Sequence, residues 1–229
     1  MPQPKKYKAE VVSIINPVDD IYPVELRSLT GKFKFLPGQF LHLALDEYDP
    51  SFGWPESRCF SIQSSPKSEL IKITFSKKGK FTERMSKEIT PGKILDLKLP
   101  YGEFLQQNHS VDRVVFLAGG TGITPFLSLF SDNAFEKYIS PKLYFGLRNI
   151  KYNIYQDELR NALIINPFLK IETKYEDTDG YFHIDQIAEE NGLNNTYFIS
   201  GPQSMIRNFK ERLHKLGISQ QNIITDDWF

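Results

Sequence analysis

The chain is 229 residues long, 40% hydrophobic and 24% charged, and its 28 basic and 28 acidic side chains cancel to a formal net charge of zero. That length holds one large domain or two of about a hundred residues. The charge balance removes the basic footprint that nucleic acid requires, and no apolar run approaches the roughly 18–20 residues of a membrane span. The single cysteine, Cys59, rules out an internal disulfide and a four-thiolate iron–sulfur cluster, and His42, His109, His183 and His214 fall in no metal-ligand spacing, so no metal site is expected.

From Tyr7 to about Leu105 the segments are short, apolar and separated by turn residues. Strands are expected at Val11–Ile15, Val24–Leu29, Phe40–Leu45, Phe60–Ile62, Leu70–Phe75 and Ile94–Leu99, the last two alternating with period two. Strands at this spacing predict an antiparallel barrel or sandwich. Within it only Thr82–Ile89 reads as helix, with Thr82 as its N-cap. After Ser110 the pattern becomes strand–helix–strand. Strands are expected at 113–118, 142–147, 169–174 and 196–200, and helices at 124–131, 155–164, 184–190 and 203–216. Such alternation predicts a parallel sheet covered on both faces. The polar stretch Gln106–Ser110 reads as the linker. The expected fold is therefore a six-stranded antiparallel β-barrel over residues 1–107 and an α/β parallel-sheet domain over 108–229.

Four stretches carry candidate chemistry. Ala118-Gly119-Gly120-Thr121-Gly122-Ile123-Thr124-Pro125 joins an apolar strand to a helix. Glycine there permits positive φ and close approach of the backbone to a phosphate or flat ring, although glycines in such a turn serve packing about as often. Arg58-Cys59-Phe60-Ser61 combines a guanidinium for phosphate, an aromatic for a flat ring and a hydroxyl. Gly79-Lys80-Phe81-Thr82 opens a helix whose free N–H groups can also receive phosphate. Ser200-Gly201-Pro202, with Met205 after it, again sets glycine at the carboxyl end of a strand, where open α/β sheets bind ligands. The terminal Trp228 and Phe229 suit either core packing or covering an exposed ring.

In this order the stretches resemble the ferredoxin–NADP reductase superfamily over nearly the whole chain. Arg58-Cys59-Phe60-Ser61 is similar to the family's flavin motif Arg-x-Tyr-Ser, with phenylalanine for tyrosine. Gly79–Thr82 is similar to its phosphate-side Gly-x-x-Ser/Thr, and Gly102-Glu103-Phe104 to the Gly-x-Phe that closes the flavin barrel. Gly119–Pro125 is similar to its nicotinamide motif, and Phe145–Arg148 to its adenosine side. Ser200-Gly201-Pro202 with Met205 is similar to its Cys-Gly-Pro-x-x-Met, serine replacing cysteine.

The resemblance implies a flavoenzyme that moves hydride from NAD(P)H to FAD, with FMN as the alternative, and then electrons to ferredoxin, flavodoxin or an oxygenase component. It implies that Arg58 and the helix start near Thr82 hold the flavin phosphate. Ser61, Thr121 and Ser200 line the hydride path, and Gly120 and Gly201 admit the nicotinamide. Arg148 and Lys151 suit a 2′-phosphate, which points to NADPH. Two alternatives remain: an electron-transfer subunit of a larger complex, or a reductase of free flavin. A regulatory nucleotide-binding protein without turnover is the reading from another class. The opening residues Met1–Lys6 lack the apolar core of a secretion signal, so a cytoplasmic monomer is expected.

Overall fold

The computed structural model describes residues 2–226, and these form two compact units divided between Leu105 and Gln106. In the first, β1 (Lys5–Ile14), β2 (Ile21–Ser28), β3 (Phe40–Ala44), β4 (Ser57–Ser61), β5 (Leu70–Ser76) and β6 (Ile94–Tyr101) form one sheet in the order β4-β3-β6-β1-β2-β5. Every pairing in it is antiparallel. Alternation aims Val24 and Leu26 of β2, Leu41 and Leu43 of β3, and Leu95, Leu97 and Leu99 of β6 into one shared core. The end strands meet, giving a near-barrel. The Gln63 N–H, just past β4, donates to the Lys72 carbonyl at 2.8 Å, and the rings of Phe60 and Phe75 pack edge to face at 6.3 Å.

Two local expectations change. β1 starts at Lys5, because Lys5–Glu10 pair with Leu99–Ile94 of β6; only Tyr7 and Ala9 mark the inner face of that run, among charged neighbours. The helix α1 (Lys80–Glu88) starts two residues early. Thr82 is not its N-cap. Gly79 occupies that position and has no side chain to cap with, so the Thr82 hydroxyl reaches back one turn. It accepts the N–H groups of Lys78 at 2.9 Å and Gly79 at 3.2 Å.

In the second unit β7 (Val114–Gly119), β8 (Lys142–Leu147), β9 (Lys170–Tyr175), β10 (Thr196–Ser200) and β11 (Ile223–Thr225) form a parallel sheet in the order β11-β10-β7-β8-β9. The helices are α2 (Thr124–Phe130), α3 (Gln156–Ile165), α4 (Glu176–Asp179), α5 (Ile184–Asn191) and α6 (Gln203–Lys215). β7 is central and buried throughout, which is why it reads as a continuous apolar run instead of an alternating one. Its Val115 and Leu117 join Ile184, Ile187, Ile206 and Leu213 from α5 and α6. Its Phe116 faces the other way, into an aromatic cluster with Phe126, Phe130, Phe135, Tyr138 and Phe198. Much of the phenylalanine content is thus a core layer.

The polar stretch read as a linker is anchored to this unit. The His109 ring lies edge-on to Phe198 at 4.9 Å, with Nδ1 on the Gln107 carbonyl at 2.7 Å and Nε2 on the Tyr138 hydroxyl at 2.8 Å. Burial pushes Tyr138 up to about 12, so its hydroxyl stays protonated across the neutral range.

Candidate functional site

In the first unit, strand alternation sorts the Arg58–Ser61 motif onto two faces. Arg58 and Phe60 share one face, and the Phe60 ring packs on the core beside Phe75 of β5. The Arg58 guanidinium carbon stands 5.0 Å from the ring centroid of Phe81, in the first turn of α1. Residues more than twenty positions apart thereby meet at one helix start, where the N–H groups of Lys80, Phe81 and Thr82 have no partner within the helix. Arg58 is held by the Glu56 carboxylate at 2.8 Å, yet its side chain stays 52% exposed. Cys59 and Ser61 turn to the opposite face. Cys59 Sγ lies 3.7 Å from His42 Nε2, and desolvation pushes its thiol up against the opposing pull of Arg58. That keeps it a neutral thiol near neutral pH. Ser61 is paired with Phe40, whose ring stacks on Tyr101 at 5.6 Å.

In the second unit, β8 and β9 lie to one side of β7, while β10 and β11 lie to the other. The chain therefore reverses direction across the sheet between β7 and β10, and the carboxyl ends of those two strands flank the crevice where such sheets take ligands. Gly119–Gly122 and Ser200–Pro202 sit there. A Cβ on Gly122 would stand 2.4 Å from the Ser200 carbonyl oxygen and 2.5 Å from the Gly201 backbone. One on Gly119 would meet Pro202 at 2.7 Å and Met205 at 2.9 Å, and one on Gly201 would meet Met205 at 2.7 Å and the Gly119 nitrogen at 3.0 Å. These three glycines interlock two turns, with Pro202 and Met205 as their packing partners. Gly120 differs: its φ is +55 and nothing lies within 4 Å of its Cβ position. It is the glycine of this turn left facing open space. Thr121 follows in a short 3-10 turn, and its carbonyl receives the Thr124 hydroxyl at 2.9 Å. Pro125 is buried in the first turn of α2, where a missing N–H costs little.

Sequence reasoning missed Asp226. The Ser200 hydroxyl donates to Asp226 Oδ2 at 2.9 Å, and the Asp226 N–H donates to the Ile199 carbonyl at 2.9 Å. Both side chains are buried. The sign available in the sequence was a carboxylate two residues after the apolar Ile223-Ile224 run, but the three-residue β11 that carries it to Ser200 was too short to recognise. Asp226→Ala strands the Ser200 hydroxyl and is expected to lower stability by about 2 kcal/mol, the scale of a buried hydrogen bond to a charged acceptor. Asp226→Asn, which keeps an acceptor oxygen, is expected to recover about half. Thermal unfolding of the three proteins checks this.

Arg148 emerges directly after β8, its guanidinium 5.5 Å from the Tyr152 ring centroid, and lines an open groove of about 300 Å³ with Glu176 and Asp177. Trp228 and Phe229 lie outside the described residues. Among the described residues there is no group of three or more His, Cys, Asp or Glu able to hold a metal, and no helix is long and apolar enough to cross a membrane.

An antiparallel near-barrel followed by a parallel sheet with a glycine-lined switch point is the architecture of a two-part nucleotide-dependent oxidoreductase. Residues 116–211 match the family model of the oxidoreductase NAD-binding domain. The chain is 25% identical over 209 residues to a flavohemoprotein of Rhizobium meliloti, covering 82% of this chain and 51% of that protein. It is 31% identical over 157 residues to the reductase component of propane 2-monooxygenase from Mycolicibacterium goodii, covering 66% of this chain and 43% of that one. It spans about half the length of the curated relatives it matches. The structure superposes with a TM-score of 0.82, at 15% identity, on a ferredoxin NADP+ reductase from Neisseria gonorrhoeae with bound FAD and NADP, covering 98% of this chain and 99% of that one. Residues 116–211 thus carry an oxidoreductase NAD-binding domain, and the chain as a whole shares the fold of that FAD- and NADP-bound reductase.

Proposed function

We propose that this chain takes hydride from NAD(P)H onto a bound FAD and hands the electrons to a protein acceptor: ferredoxin, flavodoxin or an oxygenase component. The observation that carries the reading is the meeting of Arg58 with the start of α1, a phosphate seat assembled from two motifs distant in sequence. The flavin half lies within residues 1–107 and the nucleotide half within 108–229. FAD is preferred over FMN because a relative with the same two-part fold is described with bound FAD.

Bound FAD supplies an acceptor that takes two electrons together and can release them singly. The chain's own residues do the rest by positioning. Arg58 offers a planar fork of donors to phosphate, and the N–H groups of Lys80, Phe81 and Thr82 add the positive end of α1. Phe60 gives an aromatic edge for the flat ring, and Ser61 gives a hydroxyl on the opposite face of β4. Gly120 leaves room for the nicotinamide, beside Thr121 and the buried Ser200–Asp226 pair. No strong acid or base is required, because a hydride carries its proton and electrons together; geometry is the protein's contribution.

Reconstitution with FAD and with FMN, followed by NAD(P)H-dependent reduction of ferricyanide, tests the reading. The expected result is stoichiometric flavin and steady turnover. Absence of both flavin binding and NAD(P)H oxidation overturns it and restores the regulatory nucleotide-binding alternative. A second reading, as the reductase subunit of an oxygenase complex, is favoured by relatives named as reductase components of propane and naphthalene oxygenase systems. Acceptor screening with ferredoxin, flavodoxin and free flavin separates these possibilities, since a free-flavin reductase needs no protein acceptor for turnover.

A further inference from the structure

The ends of β8 and β9 are held level with each other. Leu147 pairs with Tyr175 in the last rung of the parallel ladder, so the next residues, Arg148 and Glu176, leave the sheet side by side. The Asp177 N–H then donates to the Arg148 carbonyl at 3.2 Å, fixing the two chain exits to each other. The groove of about 300 Å³ at this carboxyl edge is lined by one guanidinium and two carboxylates. Glu176 accepts the Tyr181 hydroxyl, and Asp179 accepts the Tyr175 N–H at 2.9 Å, so the acidic turn is braced from both sides. The Arg148 guanidinium rests over the Tyr152 ring.

We propose that Glu176 and Asp177 select a nucleoside whose ribose hydroxyls are free, making NADH the preferred hydride donor over NADPH. This rests on the reading above that the second unit binds a nicotinamide dinucleotide. A ribose diol donates hydrogen bonds, and a carboxylate is the acceptor that suits it. A 2′-phosphate brings close to two negative charges, as phosphate monoesters do near neutral pH. It would meet two carboxylates for one guanidinium, and like charges brought together desolvate without compensation. Arg148 and Lys151 alone point to NADPH; the structure adds the two carboxylates that their spacing in the sequence did not place beside Arg148.

The test compares kcat/KM for NADH and NADPH in the FAD-loaded chain, in Asp177→Asn and in the double variant Glu176→Gln/Asp177→Asn. The wild type is expected to favour NADH by about 100-fold. The double variant is expected to lose at least tenfold of that preference through a rise for NADPH and a fall for NADH. Arg148→Ala, by removing the cation, is expected to widen the preference. A wild type that favours NADPH, or a ratio unmoved by the double variant, overturns the proposal. If neither nucleotide is oxidised, the wider reading of the activity fails, and the proposal is still read by calorimetry from the affinities of ADP-ribose and its 2′-phosphorylated form. Equal affinities, or binding of neither, overturn it there too.

Discussion

Gly122→Ala is expected to cost the second unit about 3 kcal/mol, at the upper end of overpacking penalties. The added carbon would sit 2.4–2.5 Å from backbone atoms of Ser200 and Gly201, and backbone cannot rotate away as a flexible side-chain tip can. The two turns must part, which pulls β7 from β10 at the centre of the sheet. Gly120→Ala is the control. It meets no atom within 4 Å, so only its φ of +55 is penalised, at about 1 kcal/mol. Thermal unfolding followed by circular dichroism measures both. Equal losses at the two positions would show that the interlock does not carry the energetics assigned to it.

Arg58→Ala is expected to weaken FAD binding about 100-fold while leaving unfolding nearly unchanged. Its guanidinium is half exposed and its ion pair with Glu56 lies at the surface, where such pairs contribute about 0–1 kcal/mol. Against a phosphate the same group makes two charge-assisted hydrogen bonds, each on the order of 1.5–3 kcal/mol. The α1 N–H groups retain part of the seat, which holds the loss to about two decades. Arg58→Lys keeps the charge and loses the planar fork, and is expected to fall between, at about tenfold. Flavin fluorescence titration gives the three constants. An Arg58→Ala protein that binds FAD like the wild type would remove this side chain from the flavin seat.

Most of the architecture was legible because two burial regimes write two patterns. Ile71, Ile73 and Phe75 alternate with Lys72 because one face of β5 meets the core, whereas Val114–Leu117 is unbroken because both faces of β7 do. What was illegible depends on distant partners. Lys5–Glu10 is strand because β6 lies beside it. Ile223–Thr225 is strand because β10 does. Thr82 reads as a cap by composition, yet the helix starts directly after the extended Gly79. Within the candidate site, each motif could be read locally, but the facing of Arg58 onto Phe81, the Ser200–Asp226 pair and the acidic turn beside Arg148 are tertiary facts. The glycine turn shows the division most clearly. Spacing alone left packing and ligand approach equally plausible; the structure shows packing at Gly119 and Gly122 and open space at Gly120.

The interlock also constrains the order in which this protein can be assembled. Gly119 and Gly122 meet packing partners at Ser200–Met205, and β10, which flanks β7 on the side opposite β8, leaves the ribosome after β8 and β9. A nascent chain that has emerged only as far as α5 can hold a finished near-barrel, yet its glycine turn still lacks the surface that shapes it. Closing so long a stretch of chain is an entropically slow step. During synthesis, then, the first unit can stand complete well before the glycine turn of the second has its packing surface.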